Sequence, residues 1–194
     1  MEAKQEKALF DIAKDQGGYF SLSQANAADI RRNQVYRAVK QRIIEGSYPG
    51  VYRLSLFPAS KFDEVFAALV SMGEKAVVGF ETALYIYGLS DIIPFDIHLI
   101  MPRSSSRRRN HVKMHTCKLD EQDITSFEGF RITTVERTII DVLASHADID
   151  QIRMAIEQAI AQGLTTREKL IFRARKKSRV MHNKIETISA RGVE

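Results

Sequence analysis

One run of residues restricts the fold more than any other. From Ser21 to Leu54 a helix-capping pattern, a tight turn, a polar and basic helical stretch and two β-favouring runs follow one another without a gap. Ser21-Leu22-Ser23-Gln24 has capping-box spacing, a hydroxyl that can hold the chain end and an amide side chain three residues later that can reach back to it. The helix opened there is short, because residues 26–29 read as a turn. Apolar spacing predicts a third helix over residues 32–42, with Val35, Ala38 and Val39 inward. Upstream, Leu9, Ile12 and Ala13 share one helical face, Gly17-Gly18 ends it, and Tyr19-Phe20 forms a short extended lead-in. Helix, short helix, turn, basic helix is the order of a helix-turn-helix.

The next residues add a wing. Ile43-Ile44 and residues 50–54 favour β structure, and Glu45-Gly46-Ser47-Tyr48-Pro49 between them supplies turn residues, so a hairpin follows the third helix directly. Over residues 31–53, Arg31, Arg32, Arg37, Lys40, Arg42 and Arg53 stand against one acid, Glu45. Clustered cations of this kind neutralise phosphates, and the whole chain carries a formal charge of +5. Winged helices also serve as protein-contact modules. Here base-reading residue types share the helix with phosphate-neutralising ones, which favours double-stranded DNA. Asn33, Gln34 and Arg37 are the candidate base-edge readers, and Tyr36 and Lys40 the candidate phosphate contacts. Arg31, Arg32, Tyr48 and Arg53 complete the expected DNA-binding set.

Pro58 and Ser60 mark a break, giving a first domain over residues 1–57 and a second over 58–194. In the second, Phe62, Val65, Phe66, Leu69 and Met72 recur at helical spacing. A short buried strand at residues 76–78, a helix over 80–87 and strands at 97–101 and 111–117 follow. A small hairpin is then expected around Glu128-Gly129. Thr133-x-x-Glu136 and Thr165-x-x-Glu168 read as capping boxes, with another helix between them over residues 150–162. The expected class is α+β: an N-terminal winged helix-turn-helix, then a mixed α/β domain with a small sheet and flanking helices. A second basic surface is expected from Arg107, Arg108 and Arg109 in a loop and from Arg173, Arg175, Lys176, Lys177 and Arg179 near the end.

Catalytic patterns are weak. Gly88-Leu89-Ser90 before Asp96-Ile97-His98 echoes the Gly-Ser and paired carboxylates of a nucleotidyltransferase, but His98 stands where the second Mg²⁺-binding carboxylate belongs. His98, His111 and His115 lack zinc-site spacing, and Asp141 and Glu157 read as helical ion-pair partners. The single cysteine, Cys117, makes no internal disulfide. No cofactor, no metal site and no enzymatic activity are expected. The start lacks a signal-peptide run and no later run approaches a membrane span, so a cytoplasmic chain with no membrane partner is expected.

Residues 16–54, with Tyr36-Arg37 and Gly50-Val51-Tyr52, resemble the N-terminal domain of AbiEi-type antitoxins. Residues 78–90 resemble that family's SGETALxxHGLS segment, and residues 129–141 its segment G-L-P-V-T-x-x-x-R-T-L-x-D. Departures are Phe80 at a usually small position, Tyr87 at the histidine, and a shortened C-terminal region. The resemblance implies an antitoxin of a type IV toxin–antitoxin (abortive infection) system. Such a protein represses its own operon, usually at inverted repeats, and counters a nucleotidyltransferase-like toxin through its second domain. The alternative is a nucleotidyltransferase-like enzyme carrying a winged-helix DNA-binding domain.

Overall fold

The computed structural model describes residues 3–91, 93–102, 110–145 and 148–190. The chain divides into two units, residues 1–76 with 126–131, and residues 77–125 with 132–194.

In the first unit, α1 (Ala3–Ala13) buries Leu9 and Ala13, and a 3-10 turn (Lys14–Gln16) leads to Gly17 and Gly18, both at positive φ. A Cβ on Gly17 would sit 2.5 Å from the Phe66 ring, so this corner needs glycine for space as well as for conformation. Strand β1 (Tyr19–Ser21) ends on the Ser21 cap. Gln24 N donates to Ser21 Oγ at 3.2 Å and Ser21 N donates to Gln24 Oε1 at 2.8 Å, opening α2 (Leu22–Ala27). Asp29, in the left-handed region that short acids tolerate, turns the chain into α3 (Arg32–Lys40). This helix stops two residues before the expected end because Arg42 is left-handed at φ 60° and Ile43 N already bonds back to Ala38 O.

Strands β2 (Ile44–Gly46) and β3 (Val51–Leu54) pair antiparallel, and β1 adds to the other side of β3 in the order β1-β3-β2. Leu9, Phe20, Ala25, Ile30, Val35, Ala38, Ile44 and Leu54 form the shared core. The arrangement is a winged helix-turn-helix. Helix α4 (Asp63–Met72) also belongs to this unit and packs on β1 and β3, so the division falls after Ala76 rather than after Phe57. Phe62 meets Phe130 edge-on at 5.4 Å and Phe66 meets the same ring at 5.4 Å, which accounts for residues 126–131 clustering here.

A second sheet is ordered β6-β5-β4-β8-β7 among the described residues, and the second unit holds β4, β5, β6 and the parts of β7 and β8 outside residues 126–131. The strands are β4 (Val77–Val78), β5 (Ile97–Met101), β6 (Val112–Thr116), β7 (Ile124–Phe127) and β8 (Phe130–Thr133). The pairing is mixed: β4 runs antiparallel to β5 and parallel to β8, and β5 runs parallel to β6. Helices α5 (Phe80–Ile86), α6 (Val135–Ala144), α7 (Ile149–Ala161), α8 (Arg167–Lys177) and α9 (Arg179–Ala190) complete the second unit. Leu84, Ile139, Ile140, Ile152, Ile156, Leu170 and Ile185 lie in one core. The expected α+β class is the observed one.

Both C-terminal capping boxes are shifted by one residue. The N-caps are Thr134, which accepts from Arg137 N, and Thr166, which accepts from Lys169 N at 3.2 Å. Each is preceded by a second threonine that turns inward. Thr133 Oγ1 lies 2.7 Å from Thr138 Oγ1, and Thr165 Oγ1 donates to Glu136 Oε1 at 2.6 Å. Glu136, read as a capping acid, is instead a buried carboxylate shared by Thr165 and by Lys169 Nζ at 2.9 Å. Burial alone would push its carboxyl up, but those two partners together hold it below the ordinary carboxylate range.

Candidate nucleic-acid interface

Helix α3 is amphipathic in a way its sequence dictates. Val35 and Ala38 are buried in the first unit's core and Val39 packs against it, which turns Arg32, Asn33, Tyr36, Arg37 and Lys40 to solvent. Arg31, just before the helix, is exposed as well. The helix begins on a local device rather than a hydroxyl cap, in which Arg31 N donates to Gln34 Oε1 at 2.8 Å. That bond engages Gln34's acceptor and half-buries the residue, leaving it less available for a base edge than Asn33 or Arg37.

One turn of the exposed face is pre-ordered. Arg32 Nε donates to Tyr36 Oη at 2.7 Å, and its guanidinium carbon stands 5.1 Å from the Tyr36 ring centroid. The bond from Arg32 draws the Tyr36 phenol below its usual pKa. The Tyr36 hydroxyl is also hydrogen-bonded to that of Tyr52, so the phenol is tied both to Arg32 on α3 and to β3.

The wing contributes less than expected. Tyr48 is half-buried, and burial first and the Glu64 charge second push its phenol up. Arg53 leaves the set altogether. It is 9% exposed, and its Nη2 donates to Phe57 O at 2.9 Å and Pro58 O at 2.6 Å. Asp63 Oδ1 lies 3.8 Å from its Nε and the Tyr19 ring 5.7 Å from its guanidinium carbon. The side chain braces the link between β3 and α4, and its charge is spent inside the unit. What remains is a compact set of exposed cations at Arg31, Arg32, Arg37, Lys40 and Arg42.

The second expected basic surface is less uniform. Arg107, Arg108 and Arg109 lie outside the described residues. Arg173 reaches Gln122, donating to its carbonyl at 3.0 Å, and Lys177 Nζ lies 3.7 Å from Asp141 Oδ1. Arg175, Lys176 and Arg179 are exposed. Arg173, Lys176 and Lys177 border a cavity of about 630 Å³ with Asp120, Asp123 and Arg137. At its floor Arg137, 7% exposed, holds Asp123 Oδ2 at 2.6 Å and Asp141 Oδ2 at 2.7 Å. Asp141 is thus the helical ion-pair partner that its spacing predicted. Cations and carboxylates line this cavity together, so it is not a one-sign phosphate groove.

The nucleotidyltransferase-like residues do not assemble a paired-carboxylate site. Asp96 uses its carbonyl to accept from Thr82 Oγ1 at 3.4 Å, and His98 N donates to Thr82 Oγ1 at 2.8 Å. Of the three histidines, His111 packs against Phe95, while His98 and His115 converge with Glu81. Spacing along one strand region gave no hint of this grouping, because Glu81 arrives from α5.

No protein-family profile and no curated protein matches the chain. Among solved structures, the crystal structure of RV2827C protein from Mycobacterium tuberculosis is similar over 100% of this chain and 78% of that one, with a TM-score of 0.60 and 10% identity. At that identity the likeness is one of fold.

Proposed function

We propose that the chain is a non-enzymatic transcriptional autorepressor that binds double-stranded DNA, and the antitoxin of a type IV toxin–antitoxin system. The observation that carries the DNA-binding part is the outward face of α3. Arg32, Asn33, Arg37 and Lys40 share it, anchored by Val35 and Ala38 beneath. A helix presented by a helix-turn-helix core and followed by a hairpin can enter a major groove, where Asn and Arg read base edges and Lys neutralises phosphate. The antitoxin part rests on the resemblance of residues 16–54, 78–90 and 129–141 to AbiEi-type antitoxins, and with it come an inverted-repeat operator and a nucleotidyltransferase-like toxin as the neutralised partner.

The test is a DNase footprint of the full chain on the DNA upstream of its own gene, with Arg37→Ala as the contrast. Protection of a symmetric site, weakened in the variant, is expected. Absence of protection at low salt overturns the repressor reading. A growth assay with a co-expressed neighbouring toxin gene tests the antitoxin reading separately, since protection there does not require operator binding. Incubation with labelled nucleoside triphosphates and RNA should leave the label unincorporated, and incorporation lost in Asp96→Ala would establish the enzyme instead.

A further inference from the structure

Three electron-pair donors from three elements of the second unit meet at one point. Glu81 stands in the first turn of α5, His98 on β5 and His115 on β6. In the parallel β5–β6 register His98 faces Lys113 and Ile100 faces His115, so the two histidines lie on the same face of the sheet, one pair apart. Gly79, just before α5, lies closely against Ile100 of β5. A Cβ built there would come within 2.5 Å of Ile100 Cδ1. The bonds joining Thr82 Oγ1 to His98 N and Asp96 O then pin the residue after Glu81 to β5.

One proton can hold this triangle only as a bifurcated bond from His98 Nδ1 to Glu81 Oε2 and His115 Nε2. His98 Nδ1 is in contact with Glu81 Oε2, which is shielded from solvent, and lies 3.3 Å from His115 Nε2, all three atoms falling within 4.8 Å of one another. If Nδ1 carries a proton and gives it to the carboxylate, it has no lone pair left to accept a proton from His115. If instead Nδ1 accepts from His115, its lone pair opposes an ionised carboxylate oxygen. A cation satisfies all three donors at once. An ionised carboxylate and neutral imidazoles are the forms in which these side chains bind a metal.

The geometry points to a divalent metal site of the zinc type at Glu81, His98 and His115. Bonds of about 2.0–2.1 Å from a tetrahedral zinc place neighbouring ligand atoms roughly 3.3 Å apart. The two histidine nitrogens already stand at 3.3 Å. Glu81 lies closer to His98 than that edge and retreats by rotating a partly exposed, flexible side chain. Two imidazoles and one carboxylate select borderline d-block cations over Mg²⁺ and Ca²⁺, which take oxygen ligands. Three protein ligands leave a fourth position for water or an incoming donor. Phe80 supports the ring of His115 from behind, stacked at 3.6 Å and 13°, and keeps this position at φ 52°, a conformation unusual for a bulky residue. Strain held in place beside converging ligands fits a site with a role.

The experiment is competition for Zn²⁺ between the untagged, chelator-stripped full chain and a chromophoric chelator, with Co²⁺ as spectroscopic substitute. One Zn²⁺ per chain is expected, undisturbed by excess Mg²⁺, with visible d–d bands of low-coordinate Co²⁺. His98→Ala and His115→Ala should weaken binding by more than the about 100-fold that loss of an outer partner gives. His111→Ala and His182→Ala should leave it unchanged. If the buried His98→Ala unfolds by circular dichroism, Glu81→Gln and His115→Gln, on more exposed side chains, decide the matter, since both must lower affinity. No stoichiometric uptake by the folded chain, or uptake indifferent to these ligand substitutions, overturns the site.

Discussion

The salt dependence expected of the proposed DNA binding is set by which cations remain outside the fold, and the burial of Arg53 makes it a sharp quantity. Five exposed cations on and beside α3, Arg31, Arg32, Arg37, Lys40 and Arg42, are available to phosphates. Each neutralised phosphate contributes about −0.9 to the slope of log affinity against log salt, so five give roughly −4.5 and an affinity loss of about 500-fold between 50 and 200 mM salt. Were Arg53 a sixth contact, the loss would be about 1,800-fold over the same range. The assay is fluorescence anisotropy of the full chain on a duplex carrying one half-site, titrated at several salt concentrations. Lys40→Ala should make the slope shallower by about 0.9. Arg53→Ala should leave the slope unchanged and lower the unfolding midpoint, because Phe57 O, Pro58 O and Asp63 lose their shared partner. A slope shallower than about −1, or a folded Arg53→Ala protein whose slope changes as much as that of Lys40→Ala, refutes the reasoning.

Other substitutions probe the second unit. Arg137→Ala leaves Asp123 and Asp141 without their buried partner and should cost about 3–5 kcal/mol in urea unfolding, and a cost under about 1 kcal/mol would show that water screens the site. Thr166→Ala removes a helix cap and should cost about 1 kcal/mol. Thr165→Ala should cost more, since it strips a hydrogen bond from buried Glu136, and the reverse order in thermal melts would reject the shifted cap. His115 in the metal-free chain is pulled down to about 4, first by burial and then by His98. The unfolded chain therefore binds this proton first, and stability should fall as pH drops from about 6.5 toward 4. Urea midpoints against pH check this, and His115→Gln should flatten that window.

Local signals carried the first unit well. The apolar spacing of α3, the Ser21 box and the turn residues of the β2–β3 hairpin act over a few residues, and the structure follows them. What escaped depends on distant partners. Nothing beside Arg53 announces that the carbonyls of Phe57 and Pro58 turn back onto it, so a basic residue in a wing reads as a DNA contact. Tandem threonines give two equivalent capping registers, and only Glu136 and Thr138, buried and in need of partners, select the second threonine of each pair as the cap. The allegiance of α4 turns on a missing Cβ at Gly17, which admits Phe66. Glu81 joins His98 and His115 only once β5, β6 and α5 are in place.

The clustering of Ser126–Arg131 with the winged helix bears on how the molecule is made. A ribosome delivers α1 through α4, then must deliver β4, α5, β5 and β6 before Phe127 and Phe130 emerge to cover Phe62. Throughout that interval the nascent winged helix carries uncovered phenylalanines, and its last layer waits on a non-local contact of the kind that slows folding and invites aggregation. A lesion at the Glu128-Gly129 turn, late in the message and far from α3 in sequence, would therefore appear first as poor yield of the first unit.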